Sequence, residues 1–194
     1  MKYIIEQLNE TSYLANFKCG VSTMDTFIQD GLELSIENHY CRAYSVIEEN
    51  TNNVIAIFAL SFDSLDLDYE DKDDMMSGIS SAEQPLLTNN YKEVFLNKSR
   101  YPALEIAYLA VSVDQHKRGI GRSIVESIVE KAQEEQKLAG CQFITVEALS
   151  SDLYNAVGFY SRCGFAPCEM PNPNKGTLRM FRTLYPLALE KDVI

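Results

Sequence analysis

The sequence predicts an α/β protein built on a mixed sheet, and three observations carry that expectation. β-prone runs and helical periodicities follow one another along the chain. In the second half they alternate as strand, helix, strand, helix. Between the first strand and the first helix of that half lies a short turn holding Gly119 and Gly121, the residue type a chain uses where it must bend sharply or let a ligand approach its backbone.

The elements are justified in order along the chain. Residues 3–8 read as a first strand. Ser22-Thr23-Met24-Asp25 has the form of a capped helix start, and Met24, Phe27, Ile28, Leu32 and Ile36 recur at helical spacing, with Gly31 as the weak point. Residues 43–47 and 54–60 are β-rich and are separated by Asn50-Thr51-Asn52-Asn53, which is hairpin chemistry. Residues 61–100 carry the weakest pattern, with a helix expected over 85–96. Residues 104–113 form an apolar strand, after which Ile120, Ile124, Val125, Ile128, Val129 and Ala132 mark one face of a long helix. Residues 141–148 read as the next strand, and a helix over 153–163 is stopped by Gly164. Residues 165–170 and 177–184 are then expected to pair around the Pro- and Asn-rich turn 171–176.

Composition bounds the function. A chain of 194 residues, 46% apolar and 23% charged, has the profile of one globular domain spanning 1–194. No apolar run is long enough to cross a bilayer, and Glu6 stands where a secretion signal needs apolar residues, so no membrane association and a cytoplasmic location are expected. Five scattered cysteines without a C-x-x-C pair, and two histidines, favour neither a disulfide framework nor a zinc site; no metal is expected. The net charge of −11 is concentrated in residues 1–100, which hold 7 Lys/Arg against 17 Asp/Glu, whereas residues 101–194 hold 10 against 11. That balance argues against a surface that tracks nucleic-acid phosphates. The acidic run from Asp63 to Asp74 reads as a solvated, mobile loop.

The turn His116-Lys117-Arg118-Gly119-Ile120-Gly121 leaves a buried strand and opens a helix. The first amides of a helix lack an intrahelical acceptor and the helix dipole adds positive potential, so this place attracts anions. Gly119 and Gly121 let a diphosphate come close to the main chain, while Lys117, Arg118 and Arg122 add cationic side chains. An ordinary strand-to-helix connection with solvated cations would show the same G-x-G pattern.

Leu104-Glu105-Ile106-Ala107-Tyr108-Leu109-Ala110-Val111, this turn, and Phe159-Tyr160-Ser161-Arg162-Cys163-Gly164-Phe165 together resemble the GNAT N-acetyltransferase superfamily over residues 104–170. In that superfamily the turn, usually Q/R-x-x-G-x-G/A, holds the CoA pyrophosphate, and Y-x-x-x-G-F marks a helix facing the thioester. Phe17-Lys18-Cys19-Gly20 followed by Met24-Asp25-Thr26-Phe27-Ile28 is similar to the start of the GNAT branch that includes tRNA-acetylating toxins. The resemblance implies a GNAT fold, with a central twisted mixed sheet of about six to seven strands flanked by helices, and an N-acetyltransferase whose donor is acetyl-CoA. It further implies that Leu109, Ala110 and Val111 offer strand backbone to the pantetheine arm. His116, Lys117, Arg118, Gly119, Ile120, Gly121 and Arg122 would hold the pyrophosphate, and an amide near Val111 would face the developing oxyanion. Tyr160 would protonate the departing thiolate; its alternative is a packed aromatic beside Phe159. His116 stands where the family usually has Gln or Arg, a change the loop tolerates if backbone amides make most of the contacts. Leu153 stands where many relatives carry Asn, and Asn155 is out of register, so Asn155 is given no cofactor role.

An amine must lose a proton before it attacks a thioester, and Glu105, on the strand face of Ala107, Leu109 and Val111, is the carboxylate in position to take it. Its offset to His116 matches the base of the histone acetyltransferase branch. The alternative is a strand-end glutamate in a surface pair, and Glu147 is a second carboxylate to consider. The sequence does not identify the acceptor; a small-molecule or protein amine is expected. The toxin-like start leaves aminoacyl-tRNA open, with Arg162, Lys175, Arg179 and Arg182 as the basic residues to hold it. A homodimer fits the resemblance, and a non-catalytic CoA-binding module is the rival from another class.

Overall fold

The computed structural model describes residues 2–78, 91–135, 139–168 and 176–184. Seven strands, β1 (Tyr3–Gln7), β2 (Arg42–Glu48), β3 (Asn53–Asp66), β4 (Arg100–Val111), β5 (Phe143–Leu149), β6 (Ala166–Pro167) and β7 (Thr177–Thr183), form one sheet in the order β1-β2-β3-β4-β5-β7-β6. The helices among the described residues are α1 (Ser22–Asp30), α2 (Leu32–Glu37), α3 (Tyr69–Gly78), α4 (Tyr91–Asn97), α5 (Ile120–Glu135) and α6 (Val157–Arg162). The α/β class and the strand number agree with the sequence. β1 pairs with β2, β2 with β3, β5 with β7 and β6 with β7, all antiparallel. The chain divides into two compact units, Met1–Ser61 with Glu105–Ile128 and Phe62–Leu104 with Val129–Ile194.

In the first unit the β2–β3 hairpin turns with Asn52 at φ 56, a left-handed conformation that Asn tolerates better than most side chains. Leu8, Leu14, Ile28, Leu32, Ile57 and Ala110 are among the buried cluster that unites α1, α2 and the strands. The helix expected across residues 22–38 divides at Gly31. The Gly31 amide donates to the Phe27 carbonyl at 2.8 Å, and a Cβ at this position would stand 2.9 Å from the Phe27 ring. That ring is stacked on Tyr108 with centroids 3.9 Å apart, so it has little room to yield. Ser22 does not cap α1, whose N-cap is Val21. Asp25 instead reaches back to accept the Cys19 amide at 2.7 Å.

In the second unit the acidic segment is not the mobile loop the sequence suggested. β3 runs on to Asp66; Asp63 pairs with Arg179 at 2.6 Å and Asp66 with Arg100 at 3.0 Å. The next three acids stand at the start of α3, where the Asp68 carboxylate accepts the Asp71 amide at 2.8 Å and Glu70 and Asp71 lie in the first turn. Negative charge is favourable at that end of a helix. Lys72, only 8% exposed, donates to the Lys98 carbonyl at 2.6 Å and lies 5.9 Å above the Tyr101 ring. The Tyr101 hydroxyl donates to the Phe95 carbonyl, which ties α4 to a core of Leu65, Phe95, Tyr101, Phe143 and Phe181.

α4 covers only the later part of the helix expected over 85–96, and the earlier part lies outside the described residues. The helix expected over 153–163 begins only at Val157. Ser150 pairs with Asn155, whose Oδ1 accepts the Val157 amide at 2.9 Å, so the residues before α6 form a side-chain-closed turn, and Ala156 is the N-cap. Gly164, at φ 82, ends α6 as expected. β6 and β7 pair as the sequence predicts, while residues 169–175 of the intervening turn lie outside the described residues.

Candidate functional site

β4 ends at Val111, and a 3₁₀ turn, Val113–Gln115, leads toward the first residue of α5, Ile120. Three bonds pin this connection. The Ser112 amide donates to Ile55 O at 2.9 Å, the Val113 amide to Lys18 O at 3.0 Å, and His116 Nε2 to Val111 O at 2.9 Å. The chain then enters the left-handed region at Lys117 (φ 61) and Gly119 (φ 81). For lysine that conformation costs roughly 1–2 kcal/mol, a strain that persists where the surroundings impose it. Among the described residues, the amides of Lys117, Arg118, Gly119, Ile120, Gly121 and Arg122 meet no acceptor. A Cβ on Gly119 would have nothing within 4 Å among the described residues, which leave the space over the turn open. Lys117, Arg118 and Arg122 are exposed, and Arg118 Nη1 is fixed by Gln115 Oε1 at 3.2 Å. Free amides, the N-terminus of a sixteen-residue helix and three cations fit a diphosphate.

His116 is engaged within the connection. Its amide donates to Val113 O at 3.3 Å and its ring to Val111 O, so both are spent inside the connection. The free amides begin at Lys117. The amides of Ser112 and Val113 are likewise committed, which confines the expected oxyanion donor to the strand before them. There Ala110 is buried, while Leu109 and Val111 are half-buried.

Glu105 is half-buried in the same unit, and its Oε2 accepts the Ser61 hydroxyl at 2.8 Å. Because β4 begins at Arg100, Glu105 lies in the middle of the strand, which removes the strand-end alternative. Ser61 carries no sequence signal; β3 brings it opposite Glu105 by running past Leu60, where the apolar pattern had suggested an end.

In the second unit Tyr160 is buried on α6, edge-on to Phe159 and Phe165 with centroids 5.0 and 5.4 Å away. Burial, with smaller effects from Cys163 and Tyr154, pushes its phenol far above the ordinary tyrosine range. Both sequence readings of Tyr160 are therefore compatible with its surroundings: it is a packed aromatic, and its proton is strongly held. Glu147 is engaged by Arg179 at 3.1 Å and by Thr177 at 2.9 Å. Asp63 accepts from Arg179 and from the Thr145 hydroxyl. Burial lowers the Arg179 pKa, but the charges and hydrogen bonds of Asp63 and Glu147 more than offset it, so the guanidinium is held above its usual value. Arg182 Nη1 donates to Cys163 O at 2.8 Å. The basic groove expected from Arg162, Lys175, Arg179 and Arg182 thus has its two strand cations occupied within the fold, and Lys175 lies outside the described residues.

Burial pushes the Cys19 thiol up to about 11 and raises those of Cys41 and Cys141, the opposite of what a nucleophilic cysteine needs. Among the described residues no group of three or more His, Cys, Asp or Glu is placed to hold a metal, and no helix is long and apolar enough to cross a membrane.

The seven-stranded sheet, with a turn of free amides between β4 and α5, accompanies a sequence match to the GNAT acetyltransferases. Residues 88–167 match the family model described as an acetyltransferase (GNAT) domain, so this stretch is a GNAT acetyltransferase domain. The fold is shared with a crystal structure described as a bacterial toxin (TM-score 0.68, 20% identity, 98% of both chains). It is shared with AtaT complexed with acetyl-methionyl-tRNAfMet (TM-score 0.64, 19% identity, 92% of this chain and 94% of that one). AtaTR bound with AcCoA is similar as well (TM-score 0.62, 19% identity, 94% of this chain and 93% of that one). No curated protein matches the sequence.

Proposed function

We propose that this chain, acting as one functional domain over residues 1–194, is an N-acetyltransferase that moves the acetyl group of acetyl-CoA directly to a primary amine. The observation that carries the reading is the row of free amides from Lys117 to Arg122 at the start of α5, inside the segment that matches the acetyltransferase domain. When bound, acetyl-CoA supplies an acyl carbon activated as a thioester. The amides of the turn hold the diphosphate, with Lys117, Arg118 and Arg122 adding charge. Leu109, Ala110 and Val111 offer backbone to the pantetheine arm, and an amide of this strand faces the carbonyl oxygen. Glu105 takes a proton from the incoming ammonium, and Tyr160 gives one to the leaving sulfur. The raised cysteine thiols fit transfer without an acyl-enzyme.

The test combines calorimetry with thiol release. CoA is expected to bind the wild-type protein, and Tyr160→Phe and Glu105→Gln are each expected to slow turnover by about 10²- to 10⁴-fold with little change in CoA affinity. Absence of CoA binding by the folded protein sinks the reading. Binding without turnover across a broad panel of amines leaves the CoA-binding module in its place.

A second acceptor reading, the amine of an aminoacyl-tRNA, is favoured by the likeness to AtaT complexed with acetyl-methionyl-tRNAfMet and opposed by the occupied Arg179 and Arg182. A small-molecule or protein amine remains the first choice. We also propose a homodimer, which sedimentation would reveal.

A further inference from the structure

The N-terminal motif at Phe17-Lys18-Cys19-Gly20 and Asp25 brings no reactive group to the turn after β4, yet its backbone holds that turn in place. One peptide unit, the bond between Lys18 and Cys19, is gripped from both sides. Its carbonyl accepts the Val113 amide at 3.0 Å, and its N–H donates to the buried Asp25 carboxylate at 2.7 Å. A peptide is planar, with its N–H and C=O pointing in opposite directions. Fixing the N–H on a carboxylate therefore aims the carbonyl. Gly20 follows at φ 85, and a Cβ there would stand 3.2 Å from Val113 Cγ2. The same residue lets the chain turn toward Asp25 and leaves room for the Val113 side chain.

We infer that Asp25 and Gly20 are positioning residues for the diphosphate-binding turn, acting through the Lys18–Cys19 peptide on Val113. Val113 opens the 3₁₀ turn that leads to the left-handed Lys117 and Gly119. Without the Lys18 carbonyl, the connection keeps its ties to Ile55 and Val111 but loses the one that fixes the first residue of the turn. A ligand that needs the turn in one shape then binds more weakly, in proportion to the fraction of molecules that still hold that shape. The inference rests on the proposed reading of the turn as the diphosphate site. A separate readout, independent of ligand, addresses the clamp alone.

The experiment compares wild type, Asp25→Ala, Asp25→Asn, Gly20→Ala and, as a core control away from the motif, Val46→Ala. Hydrogen exchange at the Val113 amide is followed without ligand, and CoA binding is followed by calorimetry. Asp25→Ala and Gly20→Ala are each expected to speed exchange at Val113 and to weaken CoA by about tenfold. Asp25→Asn, which keeps an acceptor oxygen, should recover most of both losses. Val46→Ala should lower the melting temperature and leave Val113 exchange and CoA affinity unchanged. If Asp25→Ala does not fold, Gly20→Ala carries the test. Unchanged Val113 exchange in the variant tested overturns the clamp, as does a CoA loss in Val46→Ala equal to that in the motif variants. If wild type binds no CoA, the functional reading fails while the exchange data still decide the clamp.

Discussion

Burial alone would push the Asp25 carboxyl upward, but the amides of Cys19 and Gly20, the Cys19 thiol and the charge of Lys18 more than offset it and hold the group below the usual aspartate value. A carboxylate with a depressed folded-state pKa adds stability that is fully present above its unfolded value of about 3.9 and is lost as pH falls through the folded value. Wild type is therefore expected to melt above Asp25→Asn at neutral pH, with the gap closing below about pH 4. Melting curves of the two proteins between pH 7 and pH 3 check this. A gap that stays constant across the range would mean that the charge of Asp25 contributes nothing. The same side chain shows how sequence can name a residue and misassign its task. Asp25 lies in a string that reads as a helix cap, and the carboxylate does satisfy an amide, but one six residues back in the preceding loop rather than one in α1.

Gly31 tests which of two element-scale effects is larger. Alanine in place of a glycine between α1 and α2 gains about 1 kcal/mol in helix propensity. Against that gain, the new methyl would meet the Phe27 ring at 2.9 Å, and the ring is held by its stack on Tyr108; forcing such a contact costs roughly 1–3 kcal/mol. The net loss is at most about 2 kcal/mol, so Gly31→Ala is expected to lower the melting temperature by up to about 8 °C, and a rise would show that the stack gives way freely. Elements of this kind mark what the sequence discloses. α5, with its Ile120 to Ala132 stripe, and the strands β2 and β5 follow local periodicity, and the strand bounds were legible to within two residues. So was the turn between β4 and α5, because glycines and cations at the start of a helix mark a sharp bend with exposed amides. The far end of β3 was not legible, since acidic residues there depress strand propensity while their partners, Arg100 and Arg179, lie 34 and 116 positions away. Ser61 beside Glu105 and Lys18 beside Val113 were hidden for the same reason: each is a contact between segments that no local pattern joins.

At the scale of the molecule the question is what the charge distribution permits as an acceptor. The net charge of −11 repels a polyanion, and a tRNA-holding surface would have to concentrate free cations against that background. Arg179 is not one of them, because it sits 24% exposed between Asp63 at 2.6 Å and Glu147 at 3.1 Å, neutralised by both. Removing it strands two partly buried carboxylates, a loss of roughly 3 kcal/mol when such a pair is broken. It removes no charge that a phosphate could use. Arg179→Gln is accordingly expected to lower the melting temperature by about 6–12 °C and to leave tRNA association unchanged. At about 0.15 M salt that association should be no tighter than the non-specific range, with a shallow dependence of affinity on salt. Filter binding of unacylated tRNA to wild type and Arg179→Gln across a salt series gives both quantities. A steep salt slope that becomes shallower in Arg179→Gln would show that nucleic acid competes successfully for this guanidinium, and would move the acceptor assignment to aminoacyl-tRNA.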